Sequence, residues 1–357
     1  MKKATTIGGQ ALIEGIMMKG PDQTALAVRL PDHSIDIDYI KEKHIRDRFP
    51  FLGWPLIRGA VNFVESMIQG YRALMISADK SGLTDLEEKP AATEQAAVSS
   101  DDATNEPGTV QTEESAESTP NAAPVQEEKK AVGKKEQKSG SKVLVTAVTV
   151  LGCVLGVGLA VVLFMYLPAL LFDLLNGATG GVLPQGIRPL FEGVLKIAIF
   201  IGYVAAVSCT KDIRRVFMYH GAEHKTIFCY ENGEELTVEN VRKQSRFHPR
   251  CGTSFMILML IVGILISFLI VTLFPAITGY RAIWVTVKIL LVPFVCGLGY
   301  ELIKICGRYD NRLTRIIAAP GMWVQRLTTK EPEDDMIEVA IASLQAVIPE
   351  DPDKDRW

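Results

Sequence analysis

The chain has no glycine-rich phosphate loop ending in Lys-Ser or Lys-Thr, no G-x-S-x-G elbow and no nucleic-acid-binding motif. These absences argue against P-loop nucleotide hydrolases and serine α/β-hydrolases, and no nucleic-acid partner is expected. The six cysteines have no short paired spacing, so reduced thiols are expected in place of a disulfide framework. Aromatic residues vanish from about Leu86 to Ser141, where Glu, Ala, Thr, Ser, Lys and Pro take over. So little apolar surface cannot offset the entropy of ordering, and residues 86–142 are expected to be a disordered acidic linker with a basic end. Lys2-Lys3 does not open a signal peptide, because Glu14 and four glycines interrupt any apolar core that follows.

Charge is missing from two long apolar runs, Val143 to about Leu167 and Phe255–Phe274. Two more runs carry a few charges: Pro189–Val207 with Glu192 and Lys196, and Ile283–Ile305 with Lys288, Glu301 and Lys304. Each approaches or exceeds the roughly 20 residues a helix needs to cross a bilayer. The expected class is a mainly α-helical integral membrane protein with about four transmembrane helices, a small cytoplasmic α+β N-terminal region and an additional amphipathic helix. Lys129, Lys130, Lys134, Lys135, Lys138 and Lys142 precede the first run, and eight Lys or Arg lie between Lys211 and Arg250. Arg308, Arg312 and Arg315 follow the fourth, whereas Asp173–Arg188 and Pro275–Arg281 hold one basic residue each. The positive-inside bias therefore puts both termini and the 208–254 connection in the cytoplasm of a multi-pass cell-membrane protein.

The chain divides into residues 1–85, the linker, the membrane region 143–306 and a C-terminal segment 307–357. Ala25–Leu30 and Ile35–Tyr39, joined by Pro31-Asp-His-Ser34, read as a β-hairpin. The glycine-rich stretch Gly8–Pro21 reads either as tight turns approaching another segment or as an irregular strand and turn. From Pro55 to Ala78, Arg58, Asn62, Glu65, Gln69 and Arg72 recur at helical spacing. This amphipathic helix either lies on the bilayer, packs against the spans or enters the membrane. Asp334-Asp335 followed by Met336, Val339, Ala340, Leu344 and Val347 predict a docked C-terminal helix.

The candidate chemistry lies in His220-Gly-Ala-Glu223-His224-Lys225 and His248-Pro-Arg250-Cys251. In a helix, His220 and His224 stand one turn apart on one face and can converge on a cation. The H-x-x-E-H order is that of inverted zinc peptidases. His248 or Glu301 is expected to complete the site, and zinc is the expected divalent metal. Glu223 is placed to activate water, with a ligand or supporting role as the alternative. Lys225 and Arg250 could orient an anionic substrate or headgroup. Cys251 offers a thiolate but reads first as a small packed residue, and a salt bridge is the competing reading of Glu301.

Gly8–Pro21, His220–Thr226, His248–Ser254 and Pro320-Gly-Met-Trp-Val-Gln-Arg-Leu-Thr-Thr329 together resemble the bacterial YqhQ family, end to end except in the linker. The resemblance implies a membrane protein with metal-dependent enzyme activity, supporting metal at His220, Glu223, His224 and His248 without naming a reaction. The expectation is a metal-dependent hydrolase at the cytoplasmic face, acting on a lipid-linked or membrane-protein substrate. The alternative is a non-catalytic membrane assembly or scaffold protein. Oligomeric state is not legible.

Overall fold

A computed structural model describes residues 5–40, 45–82, 151–309 and 311–355. The acidic linker, its lysine-rich end and residues 143–150 of the first apolar run lie outside the described residues.

Strands β1 (Gly8–Leu12), β2 (Gly15–Lys19), β3 (Thr24–Arg29) and β4 (Ile35–Ile40) form an antiparallel meander in sequence order. The expected 25–39 hairpin is its second half. The glycine-rich stretch supplies its first half, closed by the two-residue turn Ile13-Glu14. Glu14 has φ 49°, a backbone region that such turns usually give to Asn or Gly. Distant side chains hold it there. Arg215 donates two hydrogen bonds to the Glu14 carboxylate and the Tyr219 hydroxyl a third at 3.1 Å.

Side chains alternate across the sheet, so each face has its own core. Ile16, Met18, Ala25 and Ala27 pack with Tyr219, Ala222, Met336, Val339 and Leu344. Leu12, Met17, Leu26 and Val28 pack on Ala73 and Leu74 of α1 (Ile57–Lys80). Burying each large apolar side chain contributes about 1.5–3 kcal/mol.

The polar stripe expected on α1 does not face water throughout. The helix buries Gly59, Glu65, Gly70, Ala73 and Ser77, while Val64, Met67, Tyr71 and Met75 are exposed. Its small residues allow close approach: a Cβ on Gly59 would stand 2.8 Å from Gly297 Cα, and one on Gly70 2.3 Å from Gln10 Oε1.

Among the described residues, four helices are long and apolar enough to cross a membrane: α2 (Leu151–Ala178), α3 (Gln185–Val207), α6 (Gly252–Leu273) and α7 (Ala282–Arg308). Between α3 and α6 run α4 (Lys211–Glu231) and the short α5 (Val238–Arg242). After α7 come α8 (Arg312–Thr328), started by an Asn311–Thr314 capping box, and the expected C-terminal helix α9 (Asp334–Gln345). Helix α8 packs along α6, and α9 closes over α4, β2 and β3.

Candidate metal centre

Helix α4 carries His220 and His224 one turn apart, with Glu223 immediately before His224, and the His248–Cys251 loop crosses in front of them. The rings of His220 and His224 meet edge to face with centroids 4.4 Å apart. His220 Nδ1 lies 2.8 Å from the Thr328 carbonyl and His224 Nδ1 2.6 Å from the Arg246 carbonyl. A carbonyl only accepts, so each Nδ1 is the donor in that contact and Nε2 is the ring nitrogen left for another partner. His220 Nε2 stands 3.2 Å from Cys251 Sγ. The ligand atoms of His220, His224 and Cys251 all lie within 4.8 Å of one another.

The local fold explains this convergence. Cys251 is the N-cap of α6, so the chain turns inward there from an irregular loop. Buried Gln325 of α8 clamps that loop: its amide accepts from the His248 N–H at 2.8 Å and donates to the His248 carbonyl at 2.7 Å and to Ser254 Oγ at 2.8 Å. Gly321 lets α8 sit against α6, since a Cβ there would come within 2.6 Å of Ser254 Cα. Gly221 is equally confined, because its Cβ would lie 2.0 Å from the Lys330 carbonyl oxygen. Lys330 in turn donates its N–H to Phe217 at 2.8 Å, which keeps the segment after Thr328 against α4.

Glu223 lies beneath β1. A Cβ on Gly9 would stand 2.8 Å from its Cγ and Cδ, so glycine is what lets the strand cover the carboxylate. The Gly9 N–H hydrogen-bonds to this carboxylate, while among the described residues its Oε2 has no partner. Burial raises the Glu223 carboxyl above its ordinary value despite the opposing pull of His220 and His224. Burial also opposes a Cys251 thiolate, but the neighbouring imidazoles outweigh it and hold the thiol well below its ordinary range. In His220 burial acts against the charged ring, yet the Cys251 thiolate and Glu223 prevail and raise it.

Of the remaining expected site residues only His248 lies beside the cluster, its ring centroid 5.6 Å from that of His224, with both nitrogens turned to other partners. His248 receives the Arg250 N–H at Nδ1 (3.4 Å), and its Nε2 faces the Glu231 carboxylate at 3.6 Å. Both nitrogens are engaged, and burial pushes this imidazole down to about 4 despite Glu231. Glu301 is not brought to the cluster: Arg58 of α1 binds it through two hydrogen bonds of 2.7 and 2.6 Å. The competing salt-bridge reading thus describes the contact, with Arg58 as the partner. Lys225 Nζ is buried against the Arg242 carbonyl (2.9 Å) and Glu331 (2.8 Å). Arg250 is bound to Glu231. The Arg250 guanidinium also stands 3.4 Å from His248 Nε2, so this basic side chain faces His248 and Glu231.

Cys251, which spacing alone set aside as a packed residue, is the third candidate ligand beside His220 and His224. Its signal was its position at the junction of the His248 loop and a charge-free span. The four sequence motifs meet here in space: Gly9, the His220–His224 turn, the His248–Ser254 loop, and Gly321 with Gln325.

The fold and site define a mainly helical protein with four helices long and apolar enough to cross a membrane and a histidine–cysteine cluster on the side where α3 ends and α6 begins. The chain belongs to the family described as "Protein of unknown function (DUF1385)", whose model matches residues 54–350. It is 32% identical over 358 residues to the "Uncharacterized protein YqhQ" of Bacillus subtilis (strain 168), covering 96% of this chain and 92% of that one. No solved structure matches.

Proposed function

We propose that this protein is a metal-dependent hydrolase at the cytoplasmic face of the bacterial membrane, with His220, His224 and Cys251 holding a divalent ion and Glu223 serving as general base. The supporting observation is the pair of Nδ1–carbonyl contacts, which orient both rings and leave Nε2 as the ligand nitrogen, that of His220 standing 3.2 Å from the Cys251 sulfur. Such carbonyl contacts are what orient metal-binding imidazoles and strengthen them as donors. Two imidazoles and a thiolate favour zinc and leave one position for an exchangeable ligand. When bound, the ion supplies Lewis acidity toward water and toward a carbonyl or phosphoryl oxygen.

The chain's own residues would do the rest. Glu223, with its carboxyl raised by burial and one oxygen unpartnered, receives and returns the proton. The cover of β1 over Glu223 and the burial of His224 exclude bulk water. Cys251 caps an apolar span, a position that suits a lipid-linked or membrane-embedded substrate. The bilayer assignment is supported by the four apolar helices and the basic flanks of Lys211–Arg250 and Arg308–Arg315.

The test is product release from total membrane lipid extract and from a transmembrane peptide, using full-length protein in vesicles. Wild type is expected to release a hydrolysed product, and Glu223→Gln to retain metal but release none. Undiminished release by Glu223→Gln overturns the assignment.

The 3.2 Å contact between His220 Nε2 and Cys251 also favours a second reading, a thiolate nucleophile paired with an imidazolium. That reading expects metal-free active protein whose Cys251 alkylates readily. The metal reading expects alkylation only after chelation.

A further inference from the structure

The polar groups within the spans form a second site that the histidine cluster does not use. Helix α3 carries Arg188, Glu192 and Lys196 at successive turns, and α7 brings Lys288 to the same place. Glu192 is satisfied: Arg188 Nε donates to it at 3.0 Å and the Lys288 ammonium also binds it. Arg188 further reaches Asp173 at 3.2 Å and the Thr278 carbonyl at 3.4 Å, which places this cluster toward the α6–α7 connection, away from the histidines.

Lys196 is left over. Among the described residues its ammonium has no hydrogen bond or ion pair, and Glu192 acts on it only as a neighbouring charge. At a rise of about 1.5 Å per residue it lies roughly 12 Å along the helix from Arg188, deep within the span. An intramembrane ammonium with no counterion is costly and marks a binding or transport position. Among the described residues, three cations, Arg188, Lys196 and Lys288, face two carboxylates, Glu192 and Asp173, one anion short of balance.

Among the described residues, none fills the space beside Lys196. A cavity of about 290 Å³ among α2, α3, α6 and α7 has Glu192, Lys196 and Lys288 at its polar part, with Phe164, Met259 and Ile264 among its apolar walls. This size is at the lower end for ligand pockets and suits an acidic head with part of one chain. Methionine-rich apolar walls accommodate a flexible hydrocarbon.

We infer that this intramembrane cavity binds an anionic single-chain amphiphile, its acidic oxygens on Lys196 and its chain along the apolar wall. The inference rests on reading the four helices as membrane spans, and it is independent of the metal assignment. A carboxylate and a phosphomonoester both supply the required chemistry.

Full-length protein in phosphatidylcholine nanodiscs is titrated with palmitate, hexadecyl phosphate and uncharged hexadecanol, with bound ligand counted by native mass spectrometry. At least one anionic probe is expected to bind about tenfold or more tighter than hexadecanol, and the stronger of the two identifies the head group. Lys196→Met is expected to remove that preference and leave hexadecanol binding unchanged. Met259→Trp, which fills the apolar part, is expected to weaken binding of every probe. Metal content at the histidine cluster, measured on the same samples, separates a failed cavity from a failed metal assignment. Hexadecanol binding as tightly as both anions, or Lys196→Met retaining the anionic preference, overturns the proposal.

Discussion

Replacing Gln325 by Leu tests how the cluster is assembled. The Gln325 side chain is fully buried and joins three groups of the loop and span that carry Cys251. Leucine has similar volume, so the cavity cost is small and the effect comes from polar groups left without partners. The Ser254 hydroxyl, at the first turn of its helix, can rotate toward the carbonyl of the N-cap residue Cys251 and escapes most of the cost. The His248 N–H and carbonyl cannot, and each buried orphan costs about 1–3 kcal/mol. The expected destabilisation is thus about 2–6 kcal/mol, against about 1 kcal/mol for Ser254→Ala, which removes a single bond. Denaturant unfolding in mixed micelles, followed by tryptophan fluorescence, measures both. Because the loop positions Cys251, Gln325→Leu is also expected to weaken metal binding. Stability within about 0.5 kcal/mol of wild type would refute the reasoning, since surface-like changes fall in that range.

Two further predictions concern ion pairs. Burial raises the Glu14 carboxyl, but Arg215 and Tyr219 outweigh it, and the net value lies below the ordinary 4.5. A depressed folded value means the contact stabilises above the unfolded value and is lost as pH falls through the folded one. Wild type is therefore expected to lose stability below about pH 4.5, and Arg215→Met to flatten that acid limb; because Arg215 is partly exposed, the effect is held to about 1 kcal/mol. An acid limb unchanged by Arg215→Met would show that the pair contributes nothing to the turn. Glu301→Gln is expected to cost about 1 kcal/mol or less by weakening the partly exposed Arg58 contact while leaving metal content at the wild-type level. Loss of metal in Glu301→Gln, measured by elemental analysis, would restore Glu301 as a ligand.

What was legible in the sequence was what chain-local pattern controls. The span helices follow from uninterrupted apolar length, the 25–39 hairpin from alternation around Pro31-Asp-His-Ser34, and α9 from its acidic start and periodic apolar residues. The β1–β2 hairpin was hidden because Ile13-Glu14 is not hairpin-turn chemistry, and the side chain that secures it, Arg215, lies 201 residues away. Helix α8 was obscured by Pro320 and Gly321 in its interior, where glycine serves the approach to α6. At the site, His220 and His224 declared themselves by i, i+4 spacing. Cys251 did not, because a lone cysteine beside an apolar run looks like packing until α4 and α6 are set side by side. The spacing of His248 and Glu301 was compatible with ligation, but Glu231, Arg250 and Arg58 engage them first.

Metal stoichiometry of purified full-length protein, measured by mass spectrometry of the elements, tests the central claim most directly. The account predicts about one divalent ion per chain in wild type and background levels in folded His224→Ala and Cys251→Ser, as a three-ligand site requires. A folded wild type without metal, or full occupancy in both variants, would contradict it.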